Sequence, residues 1–199
     1  FSAMLVFGLL VIFIFNFALE MKPADRGALT AGILWVTLAF SGTLGLNRSF
    51  AAEKDRGSLD GLLLAPVDRS AIYFSKAISN LVIMLVTAAV LLPLYSLFYN
   101  QNLLLPGVLL VILLGCGGYV LVGTLLASMA VQARTRDILL PILLFPVAIP
   151  LLVAAVKATG AFLGGLPLSE IQPWLLLLAA YDLAFFAVAF MVFDYVVEE

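Results

Sequence analysis

The chain has 199 residues, of which 64% are hydrophobic and 11% charged, with a net charge of −2 and a mean hydropathy of +1.20. Soluble domains are about half apolar and about a quarter charged, so this composition excludes a soluble globular fold and predicts an integral membrane protein. The small net charge gives no sign of a nucleic-acid partner, and its distribution along the chain says more than its sum.

Several apolar runs reach the ~20 residues that a bilayer-spanning helix requires. No segment shows the alternating pattern of a β-barrel strand, so an all-α membrane fold of six transmembrane helices is expected. Span one is expected at about 1–19, with only Ser2 and Asn16 polar. The chain opens with Phe in mid-run, so a native N-terminus is expected upstream. A polar turn with Pro23 and Gly27 follows, then span two at about 28–47, with Trp35 inside it and a Ser41/Gly45 small-residue pair suited to close helix packing. A charged elbow spans 48–70. Span three is expected at about 71–99, with Pro93 kinking it and Tyr95 and Tyr99 in an interfacial aromatic belt. Span four, about 103–131, presents Gly115, Gly117, Gly118, Gly123 and Ala127 as a packing face. Span five, about 138–156, contains Pro141, Pro146 and Pro150 and is expected to be bent or broken. A Gly-rich loop is expected over 157–170, then span six at about 171–197. The whole, 1–199, forms a single transmembrane domain.

The elbow and the 132–137 loop carry seven Lys and Arg, against three on the other side. The positive-inside rule therefore puts the elbow and both termini in the cytoplasm. Span two is expected to run as helix past the membrane to about Arg56, where Gly57 breaks it. Leu59, Leu62 and Leu63 then stand at i, i+3 and i+4, one apolar face of a two-turn helix. Asp60 lies opposite, and Pro66 ends the helix. Two turns do not hold a helix in water unaided, so the leucine face needs a surface. The lipid headgroups and a groove on a soluble partner both provide one.

Catalytic chemistry is sparse. No G-x-x-x-x-G-K-[ST] occurs, and none of the four lysines follows a glycine, so any ATP hydrolysis belongs to another chain. There is no nucleophile–base pair and no metal-ligand spacing, and the single Cys116 forms no internal disulfide. These features predict a non-enzyme. There is no histidine, which removes the commonest general base and the commonest metal or haem ligand. Met4, Met84, Met129 and Met191 are spread one per span, the pattern of packing methionines. Asp182 stands well inside span six, where an ionisable group is costly and faces protein. It is the candidate intramembrane polar site, either proton- or substrate-linked or a packing residue, and the packing role is preferred.

Span two and the elbow together resemble the B subunit of the cytochrome c maturation haem exporter. Trp35, Arg48, Glu53/Asp55, Gly57-Ser58-Leu59, Leu62-Leu63-Leu64, Pro66 and Lys76 occur in the order of that family, and the proline-rich run 139–152 is similar too. The resemblance implies an ABC-2-type permease with a short cytoplasmic coupling helix between spans two and three, in the bacterial inner membrane. It implies that Glu53, Asp55, Arg56, Gly57, Leu59, Asp60, Leu62 and Leu63 contact a separate ATP-binding subunit that holds ATP and Mg. Haem-handling membrane subunits, a haem chaperone, a second copy of the chain and membrane lipid are the other partners implied. Haem is then a substrate of the complex, and no cofactor is expected on this chain alone. An ABC-2 permease for a lipid, drug or polysaccharide, or a non-transporting membrane scaffold, are the alternatives.

Overall fold

The computed structural model describes residues 1–19, 25–55, 69–130 and 136–196, with backbone only for 50–55, 69–72, 136–137 and 192–196. It is all helical: α1 Ser2–Ala18, α2 Arg26–Asp55, α3 Arg69–Tyr99, α4 Pro106–Ala130, α5 Arg136–Leu163 and α6 Leu168–Val196. Five of these, α2 to α6, are long and apolar enough to cross a membrane, and α1 is a shorter apolar helix. The chain is a multi-pass membrane protein.

The bundle is built around α2 and α4. Helix α2 packs on α1, α3, α4 and α5, and α4 packs on α2, α3, α5 and α6. Two-thirds of the apolar window of each is buried, against 11% for α6. Lipid provides no hydrophobic drive between helices, so close packing and polar cross-links must hold them. Both are present. Ser41 Oγ donates to the Met4 carbonyl at 3.2 Å, and a Cβ at Gly45 would come within 2.9 Å of Met4 Sδ. The Ser41/Gly45 pair is thus the seat of α1 on α2.

Tyrosines supply a recurring cross-link. Tyr73, Tyr99 and Tyr181 donate to the carbonyls of Leu121, Ile12 and Val147 on neighbouring helices, at 2.6, 3.2 and 3.0 Å. Tyr95 meets Thr37 Oγ1, which donates to its own Ile33 carbonyl at 2.8 Å. Tyr119 repeats the device one step along α2, 2.7 Å from Thr43 Oγ1 and 2.8 Å from the Ala39 carbonyl. Tyr95 and Tyr99 therefore depart from the interfacial belt expected of them: both are buried and stacked, with ring centroids 5.3 Å apart. A hydroxyl on an inward-facing ring gains more from a spare carbonyl than from a distant headgroup. Tyr119→Phe is expected to lower stability in detergent by about 0.5–1 kcal/mol, read by denaturant unfolding, and an unchanged midpoint would refute the cross-link.

Three boundaries differ from expectation. The segment between α3 and α4 runs on to Leu105, with Asn100 in the left-handed region at φ 50, a conformation asparagine tolerates. Helix α5 is continuous through Pro141, Pro146 and Pro150, so of the bent or broken helix expected there, the broken form does not occur. Pro146 and Pro150 are exposed, while Leu140, Leu144, Ala148, Leu151, Ala155 and Ala158 form an unbroken buried stripe. The lost hydrogen bonds thus sit away from the packing face.

Helix α5 also runs on to Leu163, so the loop expected over 157–170 shrinks to the four residues 164–167. Ala158, Thr159 and Ala161 are buried, and a Cβ at Gly160 would come 3.5 Å from Ala28 Cα of α2. That packing overrides the local glycine and lysine signal. The helix stops at a Schellman cap: Leu166 N–H donates to the Ala161 carbonyl and Gly165 N–H to that of Phe162, with Gly165 at φ 66.

Candidate functional site

The elbow is bracketed by the helices. Helix α2 extends as far as Asp55, beyond the apolar window that ends at Ser49. Its last described turn carries Glu53 and Asp55, and the described residues resume with α3 at Arg69. Arg56, Gly57, Leu59, Asp60, Leu62 and Leu63 lie outside the described residues, and so does the short helix expected there. Arg48 is exposed and Lys76 half-buried at the facing ends of α2 and α3, so the backbone enters and leaves this stretch through charged ground.

Asp182 lies on α6 and is half-buried. Its Oδ1 is enclosed and has no hydrogen-bond partner among the described residues. It rests on α4 at the Gly117–Gly118 pair: a Cβ at Gly118 would overlap Oδ1, and one at Gly117 would stand 3.7 Å from Oδ2. Tyr181 and Leu151 close the same seat. The glycine face of α4 read from sequence is therefore used, and one of its functions is to admit a carboxyl group between helices.

The structure brings together residues that sequence reasoning left apart. Trp35 Nε1 donates to Thr159 Oγ1 at 2.9 Å, and its ring lies where a Cβ at Gly115 would be. Thr30, Thr37 and Ser41 are buried along α2, and their spacing of seven and four residues is one helical face, a signal available in the sequence. Asn80 Nδ2 donates to Thr124 Oγ1 at 3.3 Å between α3 and α4. Met4 and Met84, from different spans, line one small void with Gly42, Gly45 and Asn80. Its volume is only about 10 Å³, at most a single water, which agrees with the packing role expected of Met4 and Met84, whereas Met129 and Met191 are exposed. Among the described residues, no three His, Cys, Asp or Glu gather as a metal site.

At the opposite end from the elbow, Asn16, Leu19, Arg26, Phe98, Tyr99 and Asn100 line an open cleft of about 200 Å³. These residues come from α1, the start of α2 and the end of α3, and nothing in their sequence spacing links them.

A protein-family model described as "CcmB protein" matches residues 1–198. The chain is similar to Heme exporter protein B of Pseudomonas aeruginosa, 29% identical over 188 residues, covering 93% of this chain and 84% of the relative. The protein of that name from Paracoccus denitrificans is 29% identical over 190 residues, covering 95% and 86%. That from Bradyrhizobium diazoefficiens is 28% identical over 175 residues, covering 87% and 78%.

Proposed function

This chain belongs to the CcmB protein family, and from that membership we propose that it is the membrane subunit of a haem exporter serving cytochrome c maturation. The observation that carries the reading is the family match over 1–198, joined by relatives named for haem export along most of their length. The chain works as a six-span ABC-2-type permease in the bacterial inner membrane, with both termini and the elbow in the cytoplasm. A separate subunit binds and hydrolyses ATP. Its conformational change reaches this chain through Glu53, Asp55, Arg56, Gly57, Leu59, Asp60, Leu62 and Leu63. Helix α2 is suited to transmit it, since it continues from the bundle centre to Asp55 and a helix carries displacement along its axis with little compliance. Haem-handling membrane subunits and a haem chaperone hold the haem iron, and a second copy of the chain matches a pair of ATP sites.

Deleting the chain from its host tests this reading. Haem-stained c-type cytochromes should disappear and return when the chain is resupplied. Normal levels in the deletion strain would overturn it.

Asp182 acts in this reading as a packing residue. Its fit on Gly117 and Gly118 supports that role: the carboxyl fills a place that a side chain on α4 would otherwise take. Asp182→Asn, nearly the same shape, is therefore expected to retain assembly and cytochrome c maturation. Gly118→Val, which removes the seat, should weaken both, as read by co-purification and haem staining. Intact assembly with abolished maturation in Asp182→Asn would assign the residue a direct part in transport.

A further inference from the structure

The cleft at the end of the bundle opposite the elbow gathers polar side chains from three segments of the chain. Arg26 is the first residue of α2, Asn16 is on the last turn of α1 and Asn100 follows α3; all three line the cleft. None of their side chains has a hydrogen bond or ion pair among the described residues. Tyr99, by contrast, already spends its hydroxyl on the Ile12 carbonyl. Leu19 and Phe98 complete the lining, and Phe98 is held edge-on by Phe13, with centroids 5.3 Å apart. A guanidinium, two amides and the positive end of a helix thus converge beside an apolar wall. Guanidinium forks match oxyanions, and a helix N-terminus adds favourable potential for negative charge.

We propose that this cleft binds the oxyanion end of an amphiphile, either the phosphate of an anionic lipid or the carboxylates of haem. Arg26 takes the charge, Asn16 and Asn100 donate from the sides, and the apolar part runs along Leu19 and Phe98. The volume of about 200 Å³ is below the roughly 300–1,000 Å³ of pockets that enclose a whole drug-sized ligand. The cleft therefore seats a headgroup or a ligand edge and leaves the remainder outside, in the bilayer. The haem source rests on the proposed function; the lipid source does not.

The test uses the full chain purified with its co-expressed partners in nanodiscs. In one arm, native mass spectrometry counts retained phosphatidylglycerol against phosphatidylcholine. In the other, haem is titrated against haem dimethyl ester, which lacks the carboxylates. Arg26→Gln is expected to weaken one of the two anionic ligands about tenfold or more, the loss of one charge-assisted hydrogen bond, and to leave its uncharged or zwitterionic counterpart unchanged. Arg26→Lys, which keeps the charge and loses the fork, should fall between. Lys157→Gln removes an exposed positive charge outside the cleft and should change nothing. A phosphatidylglycerol loss alone identifies lipid as the occupant and leaves the haem-export reading intact, whereas a haem loss alone identifies haem. Unchanged binding of both ligands to Arg26→Gln and Arg26→Lys, or an equal loss in Lys157→Gln, would overturn the proposal.

Discussion

Changing Leu59 and Leu63 together to Asp is expected to leave the chain inserted in the membrane but to release its ATP-binding partner and stop cytochrome c maturation. The two leucines stand on one face of the two-turn helix predicted between Gly57 and Pro66. A helix of two turns is too short to persist in water without a surface, so in the proposed docking burial of the leucines would be what orders it. Moving a leucine from water into a groove is worth about 1.5–3 kcal/mol. Losing two therefore removes about 3 kcal/mol or more, about a hundredfold in affinity, before the cost of burying two carboxylates. Co-purification of the ATPase and haem staining of c-type cytochromes read the outcome. Leu63→Met, which conserves volume and adapts to a groove, should retain both. A double-Asp variant that still holds an ATPase responding normally to the membrane subunit would refute docking at this face and favour the lipid surface. Lost coupling in a complex whose haem content does not change would favour a permease for another substrate.

The second large effect is expected at the centre of the bundle. Gly115→Ala should destabilise the chain by about 1–3 kcal/mol, the usual cost of overfilling a packed site. The added methyl would occupy the space of the Trp35 ring, and that ring is tethered by its Nε1–H to Thr159, so it does not turn aside without breaking a buried hydrogen bond. Trp35→Ala should cost about 2 kcal/mol or more. The cavity and lost contacts remain penalties inside a membrane protein, although the water-transfer part of the usual cost does not apply in lipid. The double variant should be less destabilised than the sum of the two singles, because the methyl then enters the vacated space. Denaturant unfolding in detergent measures all three. Strict additivity would show that Gly115 and Trp35 do not share a site.

Helix α2 shows why one part of this fold is legible in sequence. Its apolar run and its polar extension past the membrane are local signals, and the helix does continue beyond the apolar window that ends at Ser49 as far as the described residues go, to Asp55. Helix α5 shows the opposite case. Lys157, Gly160 and the Gly164–Gly165 pair together read as loop, because the local signal takes no account of the α2 surface at Ala28 and Ala31 that lies beside Gly160, nor of the burial of Ala158 and Ala161. Tyr95 and Tyr99 were misplaced for a related reason: tyrosine near a span end satisfies its hydroxyl equally well at a headgroup or at another helix's carbonyl, and only the neighbour decides. Of the candidate site residues, Asp182 was visible as a charge in an apolar run. Its seat was not, since Gly117 and Gly118 are 64 residues or more away along the chain.

The sequence by itself determined the solvent, the class of secondary structure, the approximate ends of most helices and the place of the charged elbow. It did so because hydropathy and helix-breaking residues act over one or two turns. The family resemblance too was carried by one contiguous stretch. Tertiary structure alone decided that α2 and α4 are central and α6 peripheral. It also decided that the tyrosines cross-link carbonyls, that Asp182 rests on a glycine pair, and that Arg26, Asn16 and Asn100 line one cleft. In a bilayer every helix is apolar enough to belong anywhere, so order within the bundle is set by shape and by the few polar groups seeking partners. Those choices depend on residues far apart in the chain and have no local signature.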